Sequence, residues 1–515
     1  MGFEIIMNNQ INNKRIAKNT LLLYVRMLIL MLVSLYTSRV VLNALGVEDY
    51  GIYNVVGGFV AMFSIISGSL SAAISRFITF ELGTGNKDKL KSIFSSSITI
   101  QILLSIIIFI IAETIGLWFL NEKLVIPENR LVAANWCYQF SIASFIFSMI
   151  SVPYNASIIA HERMSAFAYI GIVEAVGKLI IAFSIAFSPM DHLLFYSMMG
   201  MILALLIQIT YGWYCKRSFE ECTFHFIWDK DLLAKLFSFA GWNFIGSSAV
   251  LLRDQGVNIV LNLFCGPVVN AARGVALQVN FAITGFVQNF MTALNPQITK
   301  SYACGDKDSM FKLVFQGARF SYYILLLLGL PILVNTGFIM ELWLKTVPDY
   351  AIIFVRLLIV LALSECISNP LITSMLATGN IRNYQIVVGG LQLLNLPFSY
   401  ILLQIGFSPE VTIYVAIFIS QCCLCARLFM LHKMIDLKIK KYLISVYFNV
   451  IGVTIISAAI PVFALYLLGT TTIVSFIFLS VLSVISVITV GLFWGCTNDE
   501  RQFVLMQIRK VKVKL

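Results

Sequence analysis

Apolar residues run along this chain in long continuous stretches separated by short polar connections. Continuous runs read as helices, because the strands of a membrane barrel alternate apolar and polar residues over about ten positions. A helix needs roughly 20 mostly apolar residues to cross the hydrocarbon core of a bilayer. The pattern predicts helices at about 20–43, 50–73, 92–118, 131–151, 165–187, 192–214, 236–262, 269–295, 315–340, 350–376, 384–405, 411–430, 442–467 and 471–496. The loops between them are short, as for neighbouring antiparallel helices. The expected fold class is an all-α polytopic membrane protein with about 14 transmembrane helices.

Composition agrees. The 515 residues are 59% hydrophobic and 12% charged, whereas soluble domains are about 45–50% apolar and about 25% charged. A water-soluble globule cannot hide that much apolar surface. The first twenty residues are polar and basic (Asn8, Asn9, Asn12, Asn13, Lys14, Arg15, Lys18), so no cleavable signal peptide is expected. The ten cysteines, among them Cys422, Cys423 and Cys425, lie mostly in apolar runs without metal-ligand spacing to histidine. They read as small buried hydrophobes, and no metal site is expected.

The distribution of the 36 basic residues explains the net charge of +11. With the helices placed as above, 27 fall at the two termini and on alternate loops, and three on the opposite loops (Lys123, Arg130, Lys345). Six lie inside spans: Arg26, Arg39, Lys178, Arg253, Arg273 and Arg356. This asymmetry follows the positive-inside rule and predicts that both termini are cytoplasmic. It also favours an even number of spans. Nucleic acid is excluded as a partner, because the charge is scattered over many loops rather than concentrated on one face.

The two halves resemble each other. Gly46 matches Gly266, and Gly85-Asn86-Lys87-Asp88 matches Gly305-Asp306-Lys307-Asp308, both at an offset of 220 residues. Pro153, read as ending the fourth span and opening a loop, matches Pro370 at an offset of 217. The offset covers six helices, an even number, so the halves share one orientation and are related by an axis along the membrane normal. The expected organisation is a cytoplasmic segment 1–19, an N-terminal six-helix lobe 20–214, a cytoplasmic linker 215–235, a C-terminal six-helix lobe 236–430, two extra helices in 431–496 and a basic cytoplasmic tail 497–515.

A charged side chain at the bilayer centre costs about 2.5–3.5 kcal/mol on insertion scales, so such residues face protein or a hydrated cavity. Arg253 and Arg273 lie deep in their spans and are candidates for a cavity. Arg26, Arg39 and Arg356 lie near helix ends, where snorkelling is the plain alternative. Glu174 and Lys178 are spaced i,i+4, so mutual neutralisation competes with a cavity role. Glu113, Asp254 and Glu365 are candidate counter-ions or coupling carboxylates. On a helical wheel, Asn243, Ser247, Asp254 and Asn258 share one face, and Arg273, Asn280, Thr284, Gln288 and Asn295 share another. Interhelical hydrogen bonds average only about 0.6 kcal/mol, so stripes this long read as cavity walls, with packing between lobes as the alternative. A cationic, hydrated cavity suits an anionic head group, because the guanidinium fork matches phosphate oxygens.

The stretch Gly266-Pro267-Val268-Val269-Asn270-Ala271-Ala272-Arg273-Gly274, followed by Asn295-Pro296-Gln297-Ile298, Lys300-Ser301-Tyr302 and Gly305-Asp306, resembles the bacterial O-antigen type polysaccharide flippases. So does Ser38-Arg39-Val40-Val41-Leu42-Asn43-Ala44-Leu45-Gly46 through Asp49-Tyr50-Gly51-Ile52-Tyr53. These belong to the superfamily of multidrug extruders, oligosaccharide flippases and lipid II flippases. The resemblance implies two parallel six-helix bundles in a V, plus two C-terminal helices. It also implies flipping of a polyprenyl-pyrophosphate-linked oligosaccharide across the bacterial inner membrane by alternating access, for O-antigen, lipopolysaccharide, capsule or exopolysaccharide synthesis. The implied partners are that substrate, membrane lipids and polysaccharide polymerase machinery. The implied substrate-binding cations are Arg39, Arg253 and Arg273, then Arg26, Arg356 and Lys178. No catalytic residue and no cofactor is expected. A Walker A pattern is absent from the sequence, so coupling to a proton or sodium gradient is expected instead.

Two other functions compete. A cation-coupled drug or small-molecule exporter of the same fold would favour intramembrane carboxylates, yet the six basic groups outnumber Glu113, Glu174, Asp254 and Glu365. A membrane polymerase or ligase would need a substantial outer loop with catalytic groups. The outer loops predicted here are short, and the four histidines (His161, His192, His225, His432) are scattered without a nearby nucleophile.

Overall fold

The computed structural model describes residues 2–61, 63–122, 126–225, 229–344, 347–468 and 472–502, with some helical side chains, Arg39 among them, outside the description. Lys123, Lys345 and the tail from residue 503 therefore lie outside the described residues. Those described are helical throughout, with no strand among them. The chain forms two compact units, Ala17–Phe244 and Ile245–Leu515, the latter joined by Met1–Ile16.

In the first unit the helix Leu131–Ala160 is the hub. It packs on His192–Ser218, Ser64–Thr84 and Lys87–Ile111. Tyr138, Cys137, Ala134 and Ile142 from this hub meet Ala112, Val56 and Leu193 in the core. The helix Lys87–Ile111 continues through a π-turn at Ala112–Gly116, which displaces one backbone bond. The Tyr138 hydroxyl donates to the Ala112 carbonyl at 2.9 Å, satisfying that group in an apolar setting.

In the second unit the helices Asn449–Leu468 and Ile473–Val490 pack against each other and against Lys307–Val334. That cover leaves 61% of the apolar window of Lys307–Val334 buried within protein, against 17% for His192–Ser218. Polar groups clasp the added helices. Tyr323 donates to Asn449 Oδ1 at 2.5 Å and to the Gly495 carbonyl at 3.1 Å, and Tyr322 bonds Thr454 at 2.8 Å.

The repeated sequence positions share local geometry. Gly46 and Gly266 both sit at helix kinks with φ of 78°. Gly85 and Gly305 have φ of 75° and 73°, and the residues that follow, Asn86 and Asp306, both cap a helix by accepting a backbone N–H. The prolines correct one expectation. Pro153 lies inside Leu131–Ala160, and Pro370 opens the helix Asn369–Thr378, so neither begins a loop. In each case the serine four residues on donates back to the proline carbonyl: Ser157 at 2.9 Å and Ser374 at 2.8 Å. The break comes later, at Glu162 and Gly379, both with positive φ and again 217 residues apart.

Eleven helices among the described residues are long and apolar enough to cross a membrane, and the chain is a multi-pass membrane protein. The expected spans 50–73, 236–262 and 269–295 are not among the eleven. The last two lie in the long kinked helix Lys230–Ala303, which carries the polar stripes that lower its hydropathy.

Candidate functional site

A polar cluster forms in the second unit on either side of the Gly266 kink. Arg253 comes from the segment before the kink. Its Nε donates to Asp254 Oδ1 at 2.9 Å and its terminal nitrogen to Glu365 Oε1 at 3.2 Å. Glu365 stands near the end of the helix Ala351–Cys366. Arg273 comes from the segment after the kink. It donates to the Asp254 carbonyl at 3.3 Å and to the Asn258 side-chain oxygen. The Arg253 side chain is 13% exposed, and Arg273 is 6% exposed. Asn270 donates to the Asn258 carbonyl at 3.1 Å, tying the two segments once more.

The two guanidiniums differ in how their charge is met. Arg253 is paired with two half-exposed carboxylates. Arg273 has no carboxylate partner among the described residues, and its buried Nε makes no hydrogen bond. A buried guanidinium left in this state is costly to desolvate and is suited to an anion that supplies the missing oxygens. Beside Glu365, Ser364 bonds Ser420 and accepts from Gln421 at 2.5 Å, and Tyr447 donates to Gln421 at 3.1 Å. This chain of polar groups extends the cluster into the helix Val411–Ile435.

The first unit holds a separate cavity of about 460 Å³ lined by Arg26, Tyr50, Tyr53, Glu174, Lys178 and Tyr196, among others. Arg26 lies over the Phe167 ring at 4.2 Å. It fits there because residue 171 is glycine: a Cβ at that position would meet Arg26 Nε at 2.5 Å. Lys178 pairs with Glu174 at 2.7 Å, so its charge is already met by a neighbour on its own helix. At one end of this unit, Arg130 makes a bidentate pair with Asp49 (2.7 and 2.5 Å) and reaches Asp191 at 2.5 Å. Asp191 also caps the helix His192–Ser218. The bond from Arg130 holds the Asp191 carboxyl below the ordinary aspartate range. At Glu221, burial pushes the carboxyl up, and the bond to His161 together with a backbone N–H outweighs it, leaving the group below its usual value.

The predicted residues thus separate. Arg253, Asp254, Asn258 and Arg273 come together. Arg26 and Lys178 line the cavity of the other unit. Arg356 is exposed and donates to Thr336 at 3.2 Å, apart from both sites. Of the remaining stripe, Asn280 is half-buried with an unbonded Oδ1, Thr284 bonds within its own helix, and Gln288 is exposed. Asn295 accepts from Thr373 at 2.8 Å and so joins two helices. Asn243 is half-buried in the first unit.

Sequence reasoning missed two buried cations, having counted Arg319 and Arg427 with the loops because they fall at span ends. Arg319 is 5% exposed and pairs with buried Glu500. Arg427 is 6% exposed with an unbonded Nε. The signal available was their place inside apolar runs at 315–340 and 411–430.

The fold is that of the MATE transporters of the MOP superfamily. An outward-facing multidrug resistance MATE family transporter matches with a TM-score of 0.72, covering 84% of this chain and 96% of its own, at 11% identity. MATE in the straight conformation matches at 0.71, with 84% and 97% covered and 12% identity. A MOP superfamily transporter from Pyrococcus furiosus, described as having a binding pocket of reverse polarity that suggests a different function, matches at 0.69, with 84% and 96% covered and 11% identity. This is a transporter fold and not an enzyme fold.

Residues 16–302 match the polysaccharide biosynthesis protein family, and the chain belongs to it. The uncharacterized membrane protein EpsK of Bacillus subtilis (strain 168) is 20% identical over 309 residues, 58% of each chain. The chain therefore spans 58% of the length of that curated relative.

Proposed function

We propose that this protein flips a polyprenyl-pyrophosphate-linked oligosaccharide across the bacterial inner membrane for surface polysaccharide synthesis, exposing its binding groups first to one leaflet and then to the other. The observation that carries this reading is Arg273: a buried guanidinium with no carboxylate partner among the described residues and an unbonded Nε, beside Arg253 on the same kinked helix. Diphosphate oxygens would complete its hydrogen bonds. Membership in a polysaccharide biosynthesis family supports the choice of ligand. Arg26 offers a second guanidinium in the other unit, and Arg39 and Arg356 are further cations for the same anion. The reading includes fourteen crossings with both termini cytoplasmic, lobes at 20–214 and 236–430, a polymerase as downstream partner, and a proton or sodium gradient as the energy source.

The test is deletion in the native host, followed by assay of surface polymer and of the leaflet holding the lipid-linked repeat units. Repeat units trapped on the cytoplasmic leaflet with polymer lost would support the flippase. Normal polymer in a host without a redundant flippase would refute it.

A second reading rests on Asp254 and Glu365, whose half-exposed carboxylates could hold a cationic solute in a drug or small-molecule exporter. Uptake of cationic dyes by proteoliposomes, without movement of lipid-linked sugar, would favour it.

A further inference from the structure

A second basic site lies in the turn between the helix Val411–Ile435 and the candidate span Ile439–Leu468. The turn is tight. Asp436 adopts φ of 64° and its N–H donates to the His432 carbonyl at 3.0 Å. The reversal gathers His432, Lys438, Lys440 and Lys441 around a cavity of about 680 Å³, with Ile439 and Ile444 supplying apolar wall. None of the three lysines is paired with a carboxylate among the described residues. Asp436, the acidic residue of the turn, is engaged by Lys307 at 3.2 Å. His432 uses Nδ1 on the Leu437 carbonyl at 3.0 Å.

The wall of the cavity is also irregular. Leu443–Phe448 is a π-turn, a feature that frequently marks functional positions in helices. The Ser445 carbonyl it contains accepts from Arg319 at 3.1 Å. Arg319 in turn holds buried Glu500, so the back of the cavity is pinned to the core while its lysines remain exposed.

We propose that this cavity binds the phosphate of an anionic membrane lipid. The ends of two consecutive spans lie at headgroup depth, where lysines meet phosphates. Three converging ammonium groups supply charge for an oxyanion, and the exposed face of Ile444 suits the acyl boundary below it. Basic pockets between transmembrane helices are an established means of holding anionic headgroups. A plain solvated lysine run would neither converge on one cavity nor distinguish anionic from zwitterionic lipid. The site is separate from the Arg253–Arg273 cluster, and the proposal stands whether or not the chain flips lipid-linked sugars.

Native mass spectrometry of the full-length protein, titrated with phosphatidylglycerol and phosphatidylcholine, tests it. The wild type should retain phosphatidylglycerol selectively. Replacing Lys438, Lys440 and Lys441 together with Gln should weaken retention on the order of a hundredfold, at roughly fivefold per lysine. Arginine at the same three positions should preserve it, and Lys89→Gln with Lys91→Gln should leave it unchanged. A photoreactive phosphatidylglycerol should label wild-type peptides spanning 438–445, which keeps the test independent of how the Gln variant folds. Equal retention by wild type and Gln variant, equal binding of phosphatidylcholine, or labelling only elsewhere would each overturn the proposal. Displacement of the lipid by millimolar inorganic phosphate would reassign the site to a soluble phosphate group.

Discussion

Gly46 and Gly266, 220 residues apart, adopt the same backbone conformation, with φ of 78° in both and ψ of 171° and −179°. This region of backbone space is essentially restricted to glycine, because a Cβ would clash with the neighbouring peptide groups. Gly46→Ala and Gly266→Ala should each destabilise the protein by about 1–3 kcal/mol. Gly274 is helical with open space around its Cα, so Gly274→Ala should be neutral or stabilising by up to about 1 kcal/mol. Thermal unfolding in detergent compares the three, and an equal loss at Gly274 would remove the backbone explanation.

Arg253 and Arg273 should respond differently to substitution. Arg253→Ala strips two carboxylates of their partner and should cost about 1–2 kcal/mol, a figure reduced for their exposure. Arg273→Ala removes a guanidinium that has no carboxylate to strand, so stability should change less while export of polymer is lost. Arg273→Lys should rescue poorly, since an ammonium cannot reproduce the fork. Retained export in both alanine variants at normal membrane abundance would take these residues out of the mechanism.

The Arg130 clamp predicts a pH effect with a definite sign. Arg130 lowers the folded-state pKa of Asp191, so the stabilisation is present above the unfolded-state value and is lost as pH falls through the depressed folded value. The wild type should lose on the order of 1 kcal/mol below about pH 4. Asp191→Asn should lose that much less over the same range. Parallel profiles for the two proteins, measured by thermal shift against pH, would show that the clamp contributes nothing.

Gly171 makes room for Arg26, since its absent Cβ would lie 2.5 Å from the guanidinium Nε. Gly171→Ala should push Arg26 off Phe167 at little cost in stability, because the displaced atoms end a flexible side chain. Gly200→Ala, with nothing within 4 Å of its would-be Cβ, serves as the control. A fall in transport for Gly171→Ala alone, at unchanged expression, is the expected result. Equal transport by both variants would show that the position of Arg26 is immaterial.

The membrane class was legible in the sequence because hydropathy is a sum over neighbouring residues and needs no partner. The repeat was legible for a similar reason: glycine at 46, 85, 266 and 305 reports backbone conformation that is set locally. Local sequence also placed Arg253, Asp254, Asn258 and Arg273 among the candidates, since polar residues in apolar runs stand out by composition alone. It could not say which of them meet. Glu365 reaches Arg253 across 112 residues, and Glu500 reaches Arg319 across 181. Nor could it separate Arg356, which turns to Thr336, from the cluster, or see that Gln421 and Tyr447 extend it. Those outcomes depend on which helices pack together and in what rotation. Every apolar helix surface is nearly equivalent to lipid and to protein in hydropathy, so only the packed tertiary structure decides which side chains share a site.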